Sequence, residues 1–278
     1  VDNFQALILG LVEGLTEYLP VSSTGHLLLT QRLLGIESST AADAFAICIQ
    51  AGAILAVLGL YRARVGQMTL GVLGRDAIGR RLALAIVAAF IPAAVLGFLL
   101  EKPIKLYLFG GEAWGLWPIV AAWFVGGVAI LAVSRWRRRH GATPQTGLDL
   151  EHLTIRMAVI IGFAQCIAMW PGVSRSLITI VGGLLVGLSL PAAVEFSFLL
   201  GVVTLTAATA YDALKHGPEM LATYGPTPLL IGFGAAWLSA VLAVKWMVSY
   251  LQSHGLAIFG WYRVVLAIAV TVWLLWPS

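Results

Sequence analysis

Long apolar runs separated by short polar connections occupy most of the chain. Six of them, at about 42–61, 82–101, 117–134, 191–211, 227–250 and 257–276, approach the roughly 20 apolar residues that a membrane-spanning helix needs. Four other apolar segments are too short to span. Segments 4–19 and 23–35 are parted only by Pro20-Val21-Ser22, and segments 154–169 and 174–188 by Trp170-Pro171-Gly172-Val173. Two short helices joined at a break of proline and small residues predict a hairpin that enters the membrane partway. Such a break is tolerated only where protein or water surrounds it.

The polar positions set the sides. Arg62, Arg64, Arg75, Arg80 and Arg81, opposed by Asp76, follow the first span, and Arg135, Arg137, Arg138 and Arg139 follow the third. The excess of arginine predicts that both loops are cytoplasmic. The charge-balanced connection with Glu101, Lys102, Lys105 and Glu112 then faces outside, as does Asp212 to Glu219, while Lys245 and Arg263 lie near the inner face. Both termini fall outside, the first hairpin enters from outside and the second from inside.

A repeat accompanies this alternation. Pro20 precedes Phe45 by the same interval, 25 positions, as Pro171 precedes Phe196. In that register Ser23 matches Ser174 and Leu19 matches Trp170. Each half is one re-entrant hairpin and three spans, and an odd number of spans inverts the second half, so that a binding site forms at the broken helices. The fold class expected is an all-α polytopic membrane protein with inverted-topology repeats. It forms one membrane domain over 1–278, divided into a first repeat (1–134), a basic cytoplasmic loop (135–153) and a second repeat (154–278).

Composition agrees with this reading. Sixty per cent of the 278 residues are apolar and 11% are charged, against about a quarter charged in soluble domains. No separate soluble domain is expected, and insertion is expected to use the first helices themselves rather than a cleavable leader. The net charge of +4 is spent on topology, so no nucleic-acid partner is expected. Cys48 and Cys166 follow no metal spacing and are expected to be small packing residues.

The chemistry lies in the two hairpins. Glu13 and Glu17 are four residues apart and share a helix face. Ionisable residues in an apolar segment are functional candidates, and two stacked carboxylates are relieved by a divalent metal that also takes phosphate oxygens. Ser22, Ser23, Thr24 and Gly25 open the next helix, where serine or threonine caps amides and the exposed N-terminus suits phosphate. His26, in its first turn, is a candidate acid–base or nucleophilic group. The second hairpin opens a helix with Ser174-Arg175-Ser176, and in the repeat register Arg175 replaces Thr24. The positions matching Glu13 and Glu17 are Ala164 and Ala168, so the chemistry does not repeat. Arg175 offers a planar fork for phosphate or an ion pair with Glu13 or Glu17, and Ser174 and Ser176 cap the helix or bind phosphate. Gln50 reaches the site or bonds a neighbouring helix. Glu195 is expected to pair with Arg156 or Arg263. Trp residues suit interfacial belts, and the glycines of Val181-Gly-Gly-Leu-Leu-Val-Gly187 suit close packing.

The runs Glu13-Gly-Leu-Thr-Glu17-Tyr-Leu-Pro-Val-Ser-Ser-Thr-Gly-His26 and Pro171-Gly-Val-Ser-Arg-Ser176 resemble the two signature motifs of undecaprenyl-diphosphate phosphatases of the BacA type. The resemblance extends over Phe45 to Val57 and Glu195-Phe-Ser-Phe-Leu-Leu200, with one departure, Leu177 where the family usually has glycine. It implies a multi-pass enzyme of the bacterial plasma (inner) membrane that hydrolyses undecaprenyl diphosphate to the monophosphate, recycles the carrier of cell-wall synthesis and confers bacitracin resistance. It further implies a periplasmic site dependent on Mg2+ or Ca2+, with Glu13 and Glu17 as the acidic pair, Ser23 and His26 as catalytic groups and Arg175 as the essential cation. Ser23, His26 and a metal-bound water all remain open as nucleophile, as does a homodimer. Another class of membrane lipid phosphatase requires His six positions after the arginine, and Val181 stands there. A transporter or flippase of a phosphorylated isoprenoid is the alternative from a different class; a channel would need a polar stripe that no span shows.

Overall fold

A computed structural model describes residues 1–104 and 115–276, with 101–104 given as backbone only. The connection carrying Lys105 and Glu112 lies outside the described residues, as do the side chains of Glu101 and Lys102. The described chain is helical: α1 (Asn3–Thr16), α2 (Ser23–Leu33), α3 (Thr40–Leu60), α4 (Arg62–Val72), α5 (Ala77–Ile104), α6 (Trp117–Arg139), α7 (Ile155–Gln165), α8 (Arg175–Leu185), α9 (Leu190–Tyr224), α10 (Pro226–Ser253) and α11 (Ala257–Leu275). Six of these, α3, α5, α6, α9, α10 and α11, are long and apolar enough to cross a membrane, and they coincide with the six runs predicted. On α5, Leu84, Val87, Ile91, Val95 and Phe98 form an exposed apolar stripe at helical spacing, a face that only lipid solvates without cost. The protein is a multi-pass helical membrane protein.

The chain forms two compact units, one of Val1–Leu19, Ser23–Ala83 and Phe198–Met247, the other of Pro20–Ser22, Leu84–Ser197 and Val248–Ser278. In the first, Ala6 and Leu9 of α1, Leu27 of α2, Phe45 and Ile49 of α3 and Met220 of α9 close one buried cluster. Glycines bring α1 against α10. A Cβ on Gly14 would lie 2.1 Å from the Ala236 carbonyl oxygen and from Ser239 Oγ, and Ser239 Oγ donates to the Ala235 carbonyl at 2.7 Å. In the second unit, α6 packs along α11 and α7 along α8. Of the three glycines predicted to serve packing near 181–187, Gly182 and Gly183 do so, with Cβ positions 3.6 Å from Ala164 Cβ and 2.8 Å from Ala193 Cβ. Gly187 instead follows the end of α8 at φ 101°, a left-handed turn suited to glycine.

Several expected loops are helical. The basic stretch after the first span contains α4, which crosses the start of α5 where Gly71 meets the Arg80 amide and Gly79 meets the Gln67 carbonyl. The arginines at 135–139 lie in the last turns of α6, where they complement its carbonyl end. The stretch Asp212 to Glu219 also belongs to a helix: α9 runs through Pro218 to Tyr224. One proline removes a single backbone donor, and buried Met220 with the edge-on Phe45–Tyr224 contact at 5.9 Å anchors the extension. Gly225, at φ 73°, ends it.

Candidate active site

Glu13 in α1 and Glu17 at its C-cap lie one turn apart, the Glu17 amide donating to the Glu13 carbonyl at 2.9 Å. Both are buried, Glu13 completely. The chain then turns, and α2 starts at Ser23. Its hydroxyl donates to Glu17 Oε2, the contact a serine needs to surrender its proton. The same oxygen accepts from Gln50 Nε2 on α3 at 3.2 Å. Gln50 Oε1 in turn accepts from Thr209 Oγ1 of α9 at 3.2 Å, which fixes the amide with its nitrogen toward Glu17. Gln50 thus bonds Glu17 through its nitrogen and a neighbouring helix through its oxygen. His26 is half-buried one turn beyond Ser23, Gly25 is buried and Thr24 is exposed.

The second hairpin starts its helix in the same way with different chemistry. Ser22 and Ser174 have φ of 75° and 77°, and among the described residues they are the two non-glycine residues with positive φ. Each immediately precedes a helix of 11 residues, α2 and α8. Ser174 therefore corresponds locally to Ser22, one place away from the register read from Phe45 and Phe196. Arg175 stands where Ser23 stands, rather than where Thr24 does. The offset changes because the connection from α8 to α9 is shorter than that from α2 to α3.

Ser174 caps α8, its Oγ accepting from the Leu177 amide at 3.3 Å and lying 3.0 Å from Ser176 Oγ. Ser176 is wholly buried. Arg175 Nη1 donates to the Ser197 carbonyl at 3.0 Å. Thr179 Oγ1 donates to the Arg175 carbonyl at 2.9 Å and lies 2.6 Å from Ser197 Oγ. The start of α9 thus orients the arginine. Sequence reasoning gave no role to Ser197 or Thr179, although Ser197 lies within the Glu195–Leu200 run. Thr209 was also missed; the signal for it was Gln50, a half-buried amide in an apolar span that needs partners at both ends.

Arg263 does not pair with Glu195. Its hydrogen bonds go to backbone carbonyls, those of Ala122, Gly172, Pro20 and Trp123, and it is fully buried. Among the described residues no group of three or more His, Cys, Asp or Glu is disposed to hold a metal. The acidic pair Glu13 and Glu17 suits instead the manner of Mg2+, bound through one or two carboxylates with substrate phosphate and water completing the shell.

The family described as bacitracin resistance protein BacA matches residues 6–269. The chain belongs to the BacA family. Its BacA relatives include the undecaprenyl-diphosphatase of Sorangium cellulosum, 47% identical over 273 residues, covering 98% of this chain and 86% of that protein. The undecaprenyl-diphosphatase 1 of Chromobacterium violaceum is 42% identical over 96% of this chain and 94% of its own. The undecaprenyl-diphosphatase of Aquifex aeolicus is 41% identical over 99% of this chain and all of its own. Within this BacA chain the hydrogen-bonded set is Glu17, Ser23, Gln50 and Thr209, with Glu13 one turn back.

Proposed function

We propose that the chain is an undecaprenyl-diphosphate phosphatase, releasing inorganic phosphate and returning undecaprenyl phosphate for cell-wall synthesis. Its name-bearing relatives span the whole chain, and the Ser23–Glu17 hydrogen bond is the observation that carries the mechanism. Ser23 Oγ attacks the terminal phosphorus as its proton passes to Glu17 Oε2. The bond from that phosphorus to the bridging oxygen breaks, and undecaprenyl phosphate leaves. Water then attacks the phosphoserine, giving up a proton, and phosphate departs as Ser23 recovers its own. His26, one turn along α2, donates to the departing oxygen and later accepts from water.

Glu13 and Glu17 would hold a divalent cation, Mg2+ or Ca2+, which supplies charge neutralisation to the phosphoryl oxygens. Ser22, Thr24 and Gly25 at the start of α2, with Ser174 and Ser176 at the start of α8, provide the helix-terminal donors suited to phosphate. Arg175 supplies the fork that meets charge building on phosphoryl oxygens, generally the largest component of such catalysis. The second hairpin carries this cation and no acid of its own. The hairpins are re-entrant in an inverted repeat, and the site opens to the periplasmic side of the bacterial inner membrane; the arginines of α4 and of the end of α6 support that orientation.

The test is phosphate release from undecaprenyl diphosphate by the purified protein, with and without chelator, coupled to trapping of a phosphorylated residue. Phosphoserine at position 23 supports the mechanism. Near-normal turnover by Ser23→Ala would replace it with direct attack by water. No release in the presence of metal, together with movement of the lipid across liposomes, would establish transport instead.

A further inference from the structure

Arg263 of α11 is the largest buried charged side chain that the mechanism leaves unused, at 0% exposure. Nη2 donates to the Ala122 carbonyl at 2.8 Å and to that of Gly172 at 2.9 Å. Nη1 donates to the Pro20 carbonyl at 3.3 Å and Nε to that of Trp123 at 3.4 Å. Trp123 extends the set, its Nε1 donating to the Val21 carbonyl at 3.1 Å. Pro20 and Val21 form the break of the first hairpin, and Gly172 belongs to that of the second. Carbonyls at a helix break have lost their intrahelical partners and are costly to bury unbonded. A guanidinium answers several at once because its donors form a rigid planar fork, which an ammonium lacks.

The spacing turns this strut into a device for catalysis. Pro20 lies two positions before Ser22 and three before Ser23; Gly172 lies two before Ser174 and three before Arg175. One side chain thus grips both hairpins at the same distance from the left-handed serine that aims each helix. Resting on the phosphatase reading, we infer that Arg263 is a positioning residue for the reaction: by fixing both breaks it sets the aim of Ser23 and of Arg175 without touching substrate. Gly126 completes the arrangement, since a Cβ there would lie 2.4 Å from Nη2 of Arg263 and 3.0 Å from Leu177 Cδ2. An added methyl would push the guanidinium while leaving its charge in place.

The experiment compares the full-length wild type with Arg263→Lys and Gly126→Ala in detergent. It reads turnover of undecaprenyl diphosphate, thermal melting, and amide hydrogen exchange at Val21–Ser23 and at Val173–Arg175. In Arg263→Lys, kcat is expected to fall about 100-fold, the scale of a small misalignment of reacting groups. KM should stay within about threefold, as for an interaction used in the transition state alone. Gly126→Ala should shift kcat in the same direction by about tenfold, so that the inference is tested even if the lysine variant does not fold. Both tips should exchange faster in each folded variant. Wild-type kcat in a folded variant, a loss confined to KM, or loosening of one tip alone would each overturn the inference. A wild type without turnover would sink the phosphatase reading only, because the exchange rates still report whether Arg263 fixes both tips.

Discussion

Glu17 gathers the hydrogen bonds of Ser23 and Gln50 on one oxygen, so three variants should fall in a graded order. Glu17→Gln removes the proton acceptor, and kcat should drop by at least about 100-fold, the usual worth of a positioned base. Gln50→Ala removes a donor to a carboxylate, worth roughly 1.5–3 kcal/mol, and should cost about tenfold or more. Thr209→Val leaves the amide in place and only frees it to turn, so its loss should be the smallest of the three. Phosphate-release kinetics on protein checked by size exclusion would read the order; a Thr209 variant slower than Gln50→Ala would break the proposed chain. Arg175→Ala should also lose most turnover while keeping its fold. The acids, hydroxyls and histidine of the first hairpin were legible because ionisable residues in apolar segments are costly. Thr209, Thr179 and Ser197 were not, since single hydroxyls in a span bond their own helix as readily as a distant partner, as Thr204 does to the Leu200 carbonyl.

The spans were legible among elements because length and apolarity decide them, and the described ends mostly fall within a few residues of the predicted ones. Tertiary packing decided the rest. α4 and the last turns of α9 carry too many polar residues, or too evident a proline, to be read as helices without the neighbours that hold them. Helix contact itself yields a prediction. Gly14→Ala would drive a methyl into the Ala236 carbonyl and Ser239, and overpacking of this kind costs about 1–3 kcal/mol. Gly59→Ala, with no neighbour within 4 Å of its Cβ position, should keep or slightly raise the melting temperature, as alanine is the better helix former by about 1 kcal/mol. Equal melting shifts in the two would contradict the close packing of α1 on α10.

At the scale of the molecule, charge and metal make the remaining predictions. Chelation should abolish phosphate release and added Mg2+ or Ca2+ should restore it, measured on the same detergent-solubilised sample; activity that persists in chelator would remove the cation from the mechanism. A cysteine introduced at Arg75 or Arg138 in a variant lacking Cys48 and Cys166 should react with a membrane-impermeant reagent only from the cytoplasmic side. That orientation is what the arginines predict, and Pro20 and Pro171 carry the likeness of the two helix pairs. It did not carry the local register. Phe45 and Phe196 mark a spacing of 151, whereas the two left-handed serines lie 152 apart, because the connections after α2 and α8 differ in length. At the serine spacing Gln165, buried at 3% exposure, falls where Glu13 does. A neutral amide thus occupies the acid's place in the second hairpin, so the acidic pair is not repeated there.

Ser22 also has a consequence for durability. Its φ of 75° is a conformation that costs an L-residue about 1–2 kcal/mol and glycine almost nothing. Ser22→Gly should therefore melt at a higher temperature, and by the proposed phosphate role of its hydroxyl it should turn over more slowly. The same change at Ser174 forfeits the cap on the Leu177 amide and should gain less. A sturdier protein thus lies one substitution away, and the sequence in hand holds a hydroxyl there instead. Selection for long life and selection for speed would pull that position in opposite directions.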